Sequence, residues 1–126
     1  QAHIDFTAEG SVPARPTLEE KDLSGLVGNL LSNALEACGR QAEGEARRIR
    51  LRFAPGAGRL LIECENTCPA QSGGFFSTSK AEAGHGYGSH IIDLIASRYD
   101  GVVERRISGG RAFVSVLVAC GEKEAV

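Results

Sequence analysis

Leu23-Ser24-Gly25-Leu26-Val27-Gly28-Asn29-Leu30-Leu31-Ser32-Asn33-Ala34-Leu35-Glu36-Ala37-Cys38 is the stretch on which the fold turns. Leu23, Leu26, Val27, Leu30, Leu31, Ala34, Ala37 and Cys38 recur at three- and four-residue steps, which predicts a helix with one apolar face. Gly39 is its expected stop. Upstream, Thr17 stands three residues before Glu20 at capping-box spacing, with Asp22 as an alternative cap. Asn29, Asn33 and Glu36 fall within roughly 60° of one another on the flank of the apolar face. Asparagine is a mediocre helix former, so two on one stripe need a reason. Solvent-facing filler is the plain one. The chemical one is a carboxamide oxygen aimed at a hard cation such as Mg²⁺, which takes few protein oxygens alongside phosphates and water.

A second stretch asks for a ligand of that kind. Gly84-His85-Gly86-Tyr87-Gly88 places glycine at every second position, directly before the apolar run Ile91-Ile92-Asp93-Leu94-Ile95. Glycines let the backbone pass close to a bound group, and the unpaired N–H groups of a following helix suit phosphate. Alone, the pattern also fits a plain surface loop. Lys80, four residues before the first glycine, is within reach of a phosphate bound there. Ser89 to Tyr99 reads as the helix, with Ile91, Ile92, Leu94, Ile95 and Tyr99 inward, closed by Asp100-Gly101.

Strands fill the rest. Arg48-Ile49-Arg50-Leu51-Arg52-Phe53 alternates with period two, so its arginines belong on a solvent face. Pro55-Gly56-Ala57-Gly58 is a turn into Leu60–Cys64. That strand ends in Glu65-Asn66-Thr67-Cys68-Pro69, where either Glu65 or Asn66 could accept a hydrogen bond from an exocyclic amine; a turn built on Asn66 is the alternative. Gly109-Gly110 links a terminal hairpin. Strands are expected near 3–7, 48–54, 59–64, 102–107 and 112–119.

The composition excludes several classes. The 126 residues suit one domain, 1–126; 42% are hydrophobic and 24% charged, with a net charge of −2. Nothing here favours nucleic acid or a direct membrane contact, and no apolar run nears 18 residues. Cys38, Cys64, Cys68 and Cys120 lack zinc-ligand spacing and read as buried free thiols of a reducing compartment. Methionine is absent altogether, so the chain reads as a domain cut from a longer protein.

The order of these features resembles the GHKL ATPase superfamily, which spans gyrase, a heat-shock chaperone, a mismatch-repair ATPase and the sensor histidine kinases. Asn29-Leu30-Leu31-Ser32-Asn33-Ala34-Leu35-Glu36-Ala37 is similar to its N box. Glu65-Asn66-Thr67 stands at its first glycine box, though without the usual Asp and spaced glycines. Phe75-Phe76-Ser77-Thr78-Ser79-Lys80 with Gly84, Gly86 and Gly88 resembles its lid and second glycine box. The resemblance is strongest to quorum-sensing kinases of the accessory-gene-regulator type.

That resemblance implies an α/β (α+β) two-layer sandwich: a mixed sheet of about five strands with helices on one face. It implies ATP and Mg²⁺ as ligands. Asn33 would hold the metal with Asn29 as helper. Gly84, Gly86 and Gly88 would wrap the phosphates, Lys80 would pair with one of them, and Glu65, or else Asn66, would read adenine. Hydrolytic members carry a Glu where this chain has Asn29, which argues for transfer to a protein acceptor rather than to water. The expected activity is γ-phosphate donation to a histidine on a separate dimerisation domain of the same protein, upstream of Gln1, with a response regulator downstream. The expected setting is the cytoplasmic part of a membrane-anchored bacterial receptor. Alternatives on the same fold are an anti-sigma-type serine/threonine kinase and a degenerate docking module.

Overall fold

A computed structural model describes residues 3–70 and 86–122. The chain runs β1 (Asp5–Gly10), α1 (Glu20–Gly39), β2 (Arg48–Gly56), β3 (Arg59–Thr67), α2 (Gly86–Arg98), β4 (Val102–Ser108) and β5 (Arg111–Ala119). The five strands form one mixed sheet in the order β1-β2-β3-β5-β4, with only the β1–β2 pair parallel. Both helices cover one face, as expected from the sequence.

Alternation along the strands makes the two layers. Ile49 and Leu51 of β2, Leu60, Ile62 and Cys64 of β3, and Val116 and Val118 of β5 are buried with Leu26, Leu30, Ala34 and Cys38 of α1 and Ile92, Ile95 and Ala96 of α2. The intervening residues line an open face, where Arg50 pairs with Glu9 at 2.9 Å and Arg111 with Glu65 at 2.7 Å. Both hairpins close with two-residue loops of left-handed backbone, Ala57-Gly58 and Gly109-Gly110, which match the strand twist. All four cysteines are buried and free.

Several local expectations are corrected. The first strand covers Asp5–Gly10, later than the expected 3–7. Thr17 does not cap α1: its backbone N–H donates to the Gly121 carbonyl and its hydroxyl accepts from the Gly121 N–H, which ties the approach to α1 to the end of β5. Asp22 is no cap either; it is buried in the helix pair. Nor does α1 stop by a glycine in left-handed backbone. It runs through Gly39, and Arg47 collects the carbonyls at its end, with Nε donating to Cys38 and Nη2 to Gln41. The second helix starts at Gly86 rather than Ser89, and Leu94 lies 48% exposed instead of inward.

Candidate functional site

The helices run antiparallel, and their contacts are polar at both ends. At one end Asp22 of α1 meets Arg98 and Tyr99 at the close of α2. The Tyr99 hydroxyl donates to Asp22 Oδ2 at 2.5 Å, and Arg98 Nη1 to Oδ1 at 2.7 Å. The Glu19 N–H donates in turn to the Tyr99 hydroxyl. The hydrogen bond from Tyr99, and then the Arg98 guanidinium, hold the Asp22 carboxyl below its ordinary value although burial opposes them. Burial and the Asp22 carboxylate push the Tyr99 hydroxyl up, so it stays a donor.

Between the ends the helices touch closely. A Cβ on Gly25 would lie 2.7 Å from Ile95 Cδ1. At the far end Gly88, in the first turn of α2, faces the asparagines of α1. A Cβ there would lie 3.0 Å from Asn29 Oδ1 and 3.3 Å from Asn33 Oδ1. This crowding explains the glycine: any side chain would fill the space in front of two carboxamide oxygens. Arg105 of β4 holds the same turn from below, donating to the Ser89 carbonyl and to Asp93, each at 3.1 Å.

The asparagine amides are oriented by chemistry. Asn29 Nδ2 donates to the Gly25 carbonyl at 2.7 Å. A carbonyl can only accept, so the nitrogen must face it and Oδ1 must face Gly88. Asn33 is half-buried, and among the described residues its side chain has no hydrogen-bond partner. Its oxygen is therefore open to a cation. Glu36, third on the stripe, is exposed.

The end of β3 lies under the same helix. Cys64 Sγ is 4.0 Å from the Leu30 carbonyl, and Cys38 Sγ is 3.6 Å from Thr67 Oγ1. Residues 30 to 38 of α1 thus overlie 64 to 67 of β3, and both Asn33 and Asn66 fall within that overlap. Asn66 is 6% exposed and on the helix side of the sheet. Its Nδ2 donates to the Thr67 carbonyl at 2.9 Å, and among the described residues its Oδ1 has no partner. A buried acceptor left unpaired costs about 1–3 kcal/mol, so Asn66 Oδ1 is a candidate to receive a donor.

Glu65 takes the opposite face. One residue along a strand reverses the side chain, so Glu65 points away from the helices and pairs with Arg111. It borders a hollow of about 540 Å³ at the end of β3, lined also by Asp5, Thr7, Arg48, Arg50, Asn66 and Thr67. The structure therefore brings together Asn29, Asn33 and Gly88, places the Asn66 side chain on their side of the sheet, and turns that of Glu65 to the other. Gly86 opens α2 rather than lying in a loop. Lys80 and Gly84, with Phe75 and Phe76, lie outside the described residues.

The other donors at hand are poor ones for a metal. Burial, with Cys38 and Glu65 nearby, pushes the Cys64 thiol up to about 11, and burial raises Cys68 as well. Both stay protonated at neutral pH. Among the described residues no group of three or more His, Cys, Asp or Glu is placed to hold a metal. The available donor set is neutral oxygen, which fits Mg²⁺ shared with phosphates and water. No helix among the described residues is long and apolar enough to cross a membrane.

A mixed five-stranded sheet with two antiparallel helices on one face defines an α+β sandwich, with carboxamides gathered where the helices meet. The family model for the GHKL domain matches residues 18–119, and the chain belongs to that family. Solved structures share the fold. The histidine kinase domain of the blue-light activated histidine kinase from Erythrobacter litoralis EL346 superposes with a TM-score of 0.72 at 16% identity, over 94% of this chain and 55% of that one. Full-length ShkA in complex with AMPPNP gives 0.72 at 20% identity, over 97% and 27%. The nucleotide-free catalytic domain of the histidine kinase ThkA gives 0.65 at 17%, over 92% and 79%. The chain thus spans about half the length of the first of these and about a quarter of the second. In sequence, no curated protein matches it.

Proposed function

We propose that this domain binds ATP with Mg²⁺ and is the catalytic part of a sensor histidine kinase that gives the γ-phosphoryl group to a histidine on a separate dimerisation domain. The observation that carries the proposal is the pair of carboxamide oxygens, on Asn33 and buried Asn66, that have no partner among the described residues, on one side of the sheet under a helix start kept bare by Gly88. Membership of the GHKL family and the fold of histidine kinase catalytic domains support it.

Asn33 would hold the metal through Oδ1, with Asn29 beside it. Mg²⁺ supplies charge neutralisation on the phosphates when bound. The first N–H groups of α2 would face the phosphates, and Gly88 leaves room for them. Asn66 Oδ1 would accept from the adenine amine. Glu65 was the first candidate for that contact on sequence grounds, and its orientation toward Arg111 favours Asn66. Lys80 and Gly84 join the phosphate site on sequence grounds. Asn29 is a carboxamide and cannot take a proton from water, which favours transfer over hydrolysis. Phosphoryl transfer needs positioning and charge more than covalent help from the protein. The short matches at Asn33–Ala37 and Glu65–Thr67 favour a quorum-sensing receptor of the accessory-gene-regulator type in the cytoplasm beneath a membrane, with a response regulator as the next acceptor.

Calorimetric titration of ATP with and without Mg²⁺ tests the proposal. The expected result is binding that tightens roughly tenfold or more with Mg²⁺, a gain that Asn33→Ala abolishes. No binding at about millimolar ATP, worth only about 4 kcal/mol, would overturn it and leave a docking module.

A further inference from the structure

We propose that Thr67 and Gln41 are positioning residues that fix Asn66 as an acceptor-only reader of the base, so that the site selects a purine presenting an exocyclic amine over one presenting a carbonyl. The inference rests on the nucleotide reading above and adds what enforces its specificity.

An asparagine is an ambiguous reader. Its amide can turn to offer either oxygen or nitrogen, so an unconstrained Asn66 would accept from an adenine amine or donate to a guanine carbonyl with little preference. Here the ambiguity is removed by a chain of groups whose roles follow one from another. The Ala46 carbonyl can only accept, so the Gln41 Nε2 facing it at 3.0 Å must donate. Gln41 Oε1 therefore faces Thr67, and the Thr67 hydroxyl must donate to it, at 2.6 Å. The hydroxyl proton being used, Thr67 Oγ1 accepts from the Arg48 N–H at 3.0 Å. With Thr67 held on both sides, its carbonyl stands 2.9 Å from Asn66 Nδ2 and fixes the amide nitrogen inward. Only Oδ1 is left for a ligand.

Gln41 is itself 8% exposed, and its carbonyl accepts from Arg47 Nη2 at 3.0 Å. The network thus ties the end of α1 and the edge of β2 to the base-reading position. Gln41 Nε2 also reaches the Glu45 carboxylate at 3.3 Å, and the Cys38 thiol lies 3.7 Å from the Thr67 carbonyl, so further contacts hold both residues in place. A ligand carbonyl set against Oδ1 would leave two acceptors facing one another in a buried place.

Binding of ATP and GTP to the 126-residue chain, measured by titration with Mg²⁺ present, tests the inference. Wild type should prefer ATP by roughly 10–100-fold. Thr67→Val keeps the shape but removes the hydroxyl and should cut that preference by roughly tenfold, chiefly by loosening the amide. Thr67→Ser should restore it. Asn66→Ala removes the accepting oxygen and should weaken ATP binding roughly tenfold, which gives a reading even where Thr67→Val does not fold. ATP and GTP bound alike by wild type, an unchanged ratio in folded Thr67→Val, or ATP held as tightly by Asn66→Ala would each overturn the inference while leaving the nucleotide reading intact. Failure of wild type to bind ATP would overturn both.

Discussion

The two ends of the α1–α2 pair are both polar, and they are opposites. At the Asp22 end every group is answered: both carboxylate oxygens take a donor, and the Tyr99 hydroxyl both gives and receives. At the Asn33 end, Asn29 is half answered and Asn33 not at all among the described residues. The same helix, two and three turns apart, thus carries a closed cluster and an open one. Closure spends polar groups on holding helices together; an open cluster leaves acceptors over, which is what the proposed nucleotide site needs. Burial of a polar side chain therefore does not distinguish structure from site. The count of its remaining lone pairs does.

Substitutions at the two ends should separate the two roles. Gly88→Val gives the largest effect. Its Cβ would press on Asn29 Oδ1 and Asn33 Oδ1, and its methyl groups would occupy the space before them. ATP affinity should fall by roughly 100-fold or more, while stability changes by about 1 kcal/mol or less, since valine is no worse than glycine in a helix. Titration beside a thermal melt would show it, and a lowered melting point with intact binding would break the contrast. Asp22→Ala should do the reverse. It removes a charged acceptor and strands the buried Tyr99 hydroxyl, for a loss of about 2 kcal/mol in urea unfolding, with ATP affinity within roughly threefold. Tyr99→Phe keeps the ring and removes one bond, and should cost about 1 kcal/mol by the same measurement. A large loss of nucleotide affinity in either variant would mean that the closed end is part of the site.

How much of this was legible beforehand follows the physics of each signal. The helix over 20–39, the arginine strand and the terminal hairpin show in sequence because periodicity reports which face is buried. The asparagine stripe shows because two poor helix formers stand one turn apart. Glu65 against Asn66 could not be decided by residue chemistry, since both accept a hydrogen bond. Strand parity separates them by face: Cys64 and Asn66 share one, and Cys64 is apolar and buried. Counting two from an inward residue would have placed Asn66, the proposed reader, on the helix side. The role of Asp22 was hidden because a buried acid and a helix cap look alike until the partner, Tyr99, is brought in from 77 residues away. Arg47 gave no signal, for its partners are backbone carbonyls, which every sequence has, and Gln41 gave none because Thr67 stands 26 residues away.

Acid should expose the smallest difference between the two ends, because only the closed one holds an ionised group below its ordinary value. The hydrogen bond from Tyr99 contributes most to that depression; Arg98, whose side chain is more than half exposed, contributes less through solvent. An unfolded Asp takes up its proton near about pH 3.9. The folded chain resists protonation to a lower pH, so Asp22 adds stability that is complete above the unfolded value and drains away as pH falls through the folded one. Asp22→Asn is neutral throughout and lacks that contribution. The stability gap between wild type and Asp22→Asn, followed by urea unfolding from pH 7 downward, should be constant above about pH 5 and then shrink as the medium is acidified. A gap that stays level to the lowest pH would mean that Asp22 acts by shape and not by charge, and the closed cluster would then be held by hydrogen bonding alone.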